Sequence, residues 1–233
     1  MPNDHHSDGA LSQFLLPGQF VDSDHPAVVA FALHHAGQLE TPREKAVALY
    51  HAVRDGLLYD PYRIDQSPAG YKASHCLEVG YGFCVTKAAL LAAAGRAAGI
   101  PTRLGYADVR NHLTSARLRS MLGTDIFAFH GYTDMYLDGR WVKATPAFNL
   151  SLCEKAGILP LEFDGLSDSI FHPFDASGRR HMEYVRDRGV HADVPRDEIM
   201  AAWREIYPRS SGWGAVADEA DFEKEAGADA RRG

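Results

Sequence analysis

Cys84 follows Gly80-Tyr81-Gly82-Phe83 and opens the run from Val85 to Ala98, made largely of Ala and Leu. A thiol at the start of a helix meets unsatisfied backbone N–H groups and the positive end of the macrodipole, which favour an anion. That setting predicts a lowered thiol pKa and a thiolate ready for covalent, nucleophilic catalysis. The two glycines let the backbone turn sharply, as exposing a nucleophile at a helix tip requires. Cys76 and Cys153 lack this setting and read as small apolar residues.

A cysteine nucleophile needs a base, and twelve histidines are available. Hairpin geometry narrows the choice. Ile126 to Leu137 is rich in aromatic and β-branched residues, and Asp138-Gly139 is a type I′ turn signal before the return strand Arg140 to Thr145. With Leu137 facing Arg140, alternation puts His130, Tyr132, Asp134 and Tyr136 on one face. Opposite them on that face stand Ala147, Thr145, Lys143 and Trp141. Thr145 is then diagonal to His130 and within reach of an orienting hydrogen bond. Asn149 takes the other diagonal if pairing survives Pro146, and Asp134 reads as the ion-pair partner of Lys143.

The elements around these residues suggest one α+β domain, with helices first and an antiparallel sheet later. Pro26 to Leu39 reads as a helix with Val28, Val29, Ala32 and Leu33 on its apolar side. Thr41-Pro42-Arg43-Glu44 is a capping box that starts a second, with Gly56 placed to stop it. Gly99 and Pro101 end the Cys84 helix, and Thr102 to Val109 reads as a strand. Pro195 to Tyr207 is a last helix packing Ile199, Trp203 and Ile206. The expected division is an N-terminal arm over residues 1–25, a domain over 26–208 and a frayed tail over 209–233.

Composition bounds the partners. The chain has 233 residues, 45% of them hydrophobic and 24% charged, an ordinary globular balance. Its net charge is −7 without any Lys/Arg-rich run, which argues against nucleic acid or an acidic membrane as partner. Three widely spaced cysteines make no disulfide framework, no segment reads as a membrane span, and the acidic start is unlike a secretion signal. A cytoplasmic location is expected. Gly-rich phosphate loops and metal-ligand spacings are missing, so no cofactor or metal is implied. Asp164, Asp168, His172, Asp175 and His181 form a polar cluster without metal spacing, and Glu183 to Arg188 reads as a salt-bridged surface segment. The loop Asp108 to His112 could line a cleft.

The stretch Ala73-Ser74-His75-Cys76-Leu77-Glu78-Val79-Gly80-Tyr81-Gly82-Phe83-Cys84, followed by Lys87 to Leu91 and by Arg96-Ala97-Ala98-Gly99-Ile100-Pro101-Thr102-Arg103, resembles the core of the bacterial transglutaminase-like superfamily. His130-Gly131-Tyr132 and Trp141-Val142-Lys143-Ala144-Thr145-Pro146 match its second block in order and spacing. The resemblance spans roughly residues 45 to 150. It implies a papain-like core, a Cys-bearing helix packed on a sheet that bears the His. It also implies acyl transfer on peptide or small amide substrates, with Cys84 as nucleophile and His130 as general base and acid. The family carries an Asp where Thr145 stands. A hydroxyl can orient the ring but supplies no anion, so Thr145 and the amide of Asn149 are equal candidates for orienter. The Cys84 N–H is the natural first oxyanion donor, with Tyr62, Gln66 and Tyr81 as open choices for the second. Two rival functions fit the same chain: a degenerate fold serving as a binding or scaffold module, and a biosynthetic acyltransferase using thioester donors.

Overall fold

The computed structural model describes residues 11–112, 115–170, 177–179, 181–207 and 222–230. Helix α1 (Pro26–Ala36) buries Val28, Ala32 and Ala36, a strict i, i+4 stripe. Val29 and Leu33, expected on the same side, face solvent. Helix α2 (Pro42–Gly56) starts on the expected capping box, with Glu44 N–H donating to Thr41 Oγ1 at 3.2 Å and Thr41 N–H to Glu44 Oε2 at 3.0 Å. Its end differs from expectation. Gly56 is still helical and Leu57 turns extended. The terminal carbonyls of Arg54 and Leu57 instead accept from the fully buried Lys87 Nζ at 2.9 and 2.7 Å.

Two short strands, β1 (Leu58–Tyr59) and β2 (Tyr81–Gly82), pair in parallel on either side of helix α3 (Ala73–Val79). Gly80, the C-cap of α3, has φ of 73°, a left-handed conformation that suits glycine. The chain then enters helix α4 (Cys84–Ala97), which is buried from Cys84 through Arg96. Alanine explains how: it is the best helix former and its small side chain lets neighbours approach from every direction. Thr102 Oγ1 and Thr133 Oγ1 each donate 2.8 Å bonds to α4 carbonyls, at Ala92 and Ala88, riveting helix to sheet.

The sheet has four antiparallel strands in the order β5 (Arg140–Ala144), β4 (Ile126–Leu137), β3 (Thr102–Asn111) and β6 (Met182–His191). Strand β3 (Thr102–Asn111) runs two residues past its expected end, so Asp108 to Asn111 belongs to the sheet. Strand β4 (Ile126–Leu137) follows helix α5 (Ala116–Leu122), and turns through Asp138 and Gly139, both at positive φ, into β5 (Arg140–Ala144). The register pairs Leu137 with Arg140 and Thr133 with Ala144, as the turn dictates. Asp134 bonds Arg103 of β3 at 2.9 Å rather than Lys143, whose ammonium lies over the Tyr132 ring. Helix α6 (Leu150–Ala156) leads towards β6 (Met182–His191), which covers the far edge of β3 and contains Glu183 to Arg188.

Both ends of the described chain pack on this core. Val21 is fully buried, and the Asp193 carboxylate accepts from the Gln19, Phe20 and Val21 N–H groups. Residues 12–25 are therefore part of the fold and not a loose arm. Helix α7 (Arg196–Ile206) buries Ile199 and Trp203. Residues 222–230, expected to fray, form helix α8 (Phe222–Ala230), which packs on α6. No helix among the described residues is long and apolar enough to cross a membrane.

Candidate active site

Cys84 is the first residue of α4, and its thiol points into protein: it is 9% exposed. Thr86 Oγ1 accepts from the Phe83 N–H at 3.1 Å and fixes the turn in front of it. The tip of α4 rests on β4 at Gly131. A Cβ there would come 3.2 Å from the Cys84 carbonyl oxygen and 3.2 Å from the Val85 Cα, so a side chain at this position would press the helix tip back and glycine gives the closest approach. The N–H groups of Gly131, Val85 and Cys84 all act on the sulfur in the direction that favours thiolate. They are outweighed. Burial pushes the thiol up to about 11, against the lowered value that a helix tip predicts. Tyr59, Tyr71, Tyr106 and Tyr207 all feel the charge of Cys84.

His130 directly precedes Gly131, so base candidate and helix tip meet at adjacent residues of β4. Its ring is 2% exposed, and burial pushes its pKa down to about 4, with the neighbouring His181 acting the same way. Both groups are thus uncharged near neutral pH: a thiol and an imidazole rather than a thiolate–imidazolium pair.

The backbone that aims His130 is unusual. Phe129 has φ of 57°, costly for a residue with a large side chain, and it sits where the β3–β4 register slips between Ala107 and Val109. Its N–H donates to Asp108 Oδ1 at 3.1 Å, and Arg188 of β6 grips the same carboxylate at 2.7–3.0 Å while lying over the Phe129 ring. One residue earlier, Ala128 N–H donates to Tyr207 Oη at 2.6 Å and Trp203 Nε1 donates to the Ala128 carbonyl. The local conformation is over-determined from both sides.

Thr145 and Asn149 occupy different places. Thr145 is 2% exposed and shares with His130 and His181 the wall of a cavity of about 20 Å³; its hydroxyl makes no hydrogen bond. Its N–H donates to the Ser169 carbonyl. Asn149 spends both amide hydrogens on Ser151 Oγ and Glu223 Oε1, and its oxygen accepts from the Tyr59 N–H at 2.9 Å. Since β1 pairs with β2, that last bond braces the turn leading into Cys84. Among the oxyanion candidates, the Tyr62 hydroxyl donates to Glu225, Tyr81 stacks under Arg63, and the Gln66 carbonyl accepts from Arg196.

His181 was legible only as one member of a polar cluster. It is 2% exposed and stacks on Phe148 beside His130. Asp164 and Asp168 of that cluster serve local turns and the Lys143 N–H, and His172 and Asp175 lie outside the described residues. A larger cavity of about 170 Å³ also opens on His130, with Tyr59 and α8 in its wall.

A helix-tip cysteine seated on the strand of a buried histidine, within an α+β core, is the arrangement the sequence resemblance implies. The sequence profile of the transglutaminase-like superfamily matches residues 30–146, half of the chain. The chain belongs to the transglutaminase-like superfamily. Two solved structures are similar. One is a candidate cysteine protease from Cytophaga hutchinsonii, 18% identical, with a TM-score of 0.48 over 78% of this chain and 54% of that one. The other is a candidate protease from Parabacteroides distasonis, 21% identical, with a TM-score of 0.37 over 53% of this chain and 23% of that one. The chain thus spans about half or less of either structure's length. No curated protein matches it.

Proposed function

We propose that the protein catalyses acyl transfer on amide substrates through a Cys84 thioester, with His130 as the proton carrier. The observation that carries this reading is the seating of the α4 tip on Gly131, which brings the thiol to the strand position next to His130. Since both groups rest uncharged, the chemistry starts from a neutral pair. The Cys84 proton passes to His130 as the S–C bond forms at the carbonyl carbon. The Cys84 N–H, which lacks a partner within its helix, is the donor proposed for the developing oxyanion. His130 returns the proton to the nitrogen as the C–N bond breaks and the amine leaves. A water, losing its proton to His130, then hydrolyses the thioester and restores the thiol. A peptide or small amide is the proposed substrate, with water as the ordinary acceptor. Thr145, which walls the same small cavity as the ring, is the proposed orienter; Asn149 is proposed to act on β1.

The test is to incubate the protein with an activated acyl donor and map covalent mass by tryptic mass spectrometry. The acyl group is expected on Cys84 in wild type and absent from His130→Ala. Equal or no labelling of Cys84 in both would sink the reading. One observation favours a second reading. A thiol held near 11 beside an uncharged imidazole suits a fold kept as a binding module, and absence of any acyl-enzyme in the same experiment would support it.

A further inference from the structure

The cavity of about 170 Å³ beside His130 lies between the sheet, α6 and α8. Its wall is largely carbon: Phe127 from β4, Phe148 and Ile158 from the segments flanking α6, Leu152 from α6 itself and Phe222 from α8. Its polar lining includes His130 and His181 at the inner end, and the exposed Arg179 marks the rim. Tyr59, which feels the charge of Cys84, lines the same cavity as His130. A dry apolar cavity of about 150 Å³ is known to accept one benzene molecule, so this volume suits a single six-membered ring or a leucine-sized branch. It is far below the roughly 300–1,000 Å³ of a site that encloses a drug-sized ligand.

From these observations we infer that this cavity is the acyl-specificity pocket, and that it selects an acyl group ending in one aromatic ring or a branched aliphatic chain. The inference rests on the acyl-transfer reading and adds to it the substrate class. Bound there, the apolar end of the acyl group lies against Phe148, Leu152 and Phe222, while its carbonyl faces His130 at the inner end. Burying such a group is worth enough to discriminate it from acetyl by about 10- to 100-fold.

Two measurements test it. The first uses Cys84→Ala protein and simple amides, so that no turnover is needed: phenylacetamide, isovaleramide and acetamide are titrated by ligand-observed NMR. Phenylacetamide and isovaleramide are expected to bind at least about tenfold more tightly than acetamide. Filling the pocket with Ala156→Trp, from the α6 wall, is expected to erase the difference. Because that variant can fail to fold, Ile158→Ala provides an enlarging partner that should shift preference towards naphthylacetamide. The second measures kcat/KM for phenylacetyl and acetyl amides of one amine, with the same ordering expected. Equal binding of all amides, or a preference untouched by both pocket variants, overturns the proposal and leaves acyl transfer standing. Selective binding with no acyl-enzyme at Cys84 from any donor instead overturns the catalytic reading, and with it the assignment of this cavity to an acyl group.

Discussion

At Cys84 two effects compete, and the structure shows which one wins. Three backbone N–H groups favour thiolate, but a thiol this deeply buried loses more by leaving water than it gains from those dipoles. Alkylation by iodoacetamide should therefore show no plateau near pH 6. Its rate at Cys84 is expected to climb about tenfold per pH unit from pH 7 towards 10, and a flat profile below pH 8 would contradict the burial argument. His130 carries the corresponding stability signature. Its pKa is about 4 in the fold against 6.5 unfolded, so the unfolded chain binds more protons between those values. Stability is whole above pH 6.5 and falls as pH drops towards 4, by on the order of 3 kcal/mol at full effect. Urea melts at pH 7 and pH 4.5 should show this loss in wild type, and His130→Asn should flatten it.

The elements that carry these residues can be tested one contact at a time. A Cβ at Gly131 would already sit a tight 3.2 Å from the Cys84 carbonyl oxygen and the Val85 Cα, so Gly131→Val is expected to press α4 away from β4. Overpacking of this kind costs about 1–3 kcal/mol. Thioester formation should fall more steeply than stability does, because the displaced part is the helix tip itself; a variant with lowered Tm and unchanged acylation would refute the seating argument. Asp108→Ala removes the acceptor of the Phe129 N–H and strands Arg188, a loss of about 3 kcal/mol for a broken buried pair. A circular-dichroism melt would report it.

Much of this was readable in advance, because the signals are local. Thr41 and Glu44 lie three residues apart, Asp138-Gly139 sets the β4–β5 register by itself, and an alanine run announces a helix buried on all sides. What was not readable joins distant residues. Asn149 is held by Tyr59 and Glu223, Lys87 caps a helix that ends thirty residues before it, and the phenols that feel the charge of Cys84 are the widely separated Tyr59, Tyr71, Tyr106 and Tyr207. Spacing rules reach one turn or one hairpin and no further.

On the scale of the whole molecule, α8 completes the site from a long way off in sequence. Phe222 packs on Tyr59 and Tyr62, Glu223 bonds Asn149, Ser151 and Lys155, and Glu225 bonds Tyr62. Truncation after residue 221 should expose Tyr59 and the large cavity. A dye that fluoresces on apolar surfaces is expected to bind the truncated protein and not the full chain, and equal dye binding would remove α8 from the site. That arrangement also has a consequence in time. The ribosome delivers Cys84 and His130 well before Phe222, at about 5–20 residues per second. The other walls of the large pocket are complete once Met182 is made, and its last wall, α8, follows a few seconds later. Synthesis itself withholds the finished reaction chamber until nearly the whole described chain exists.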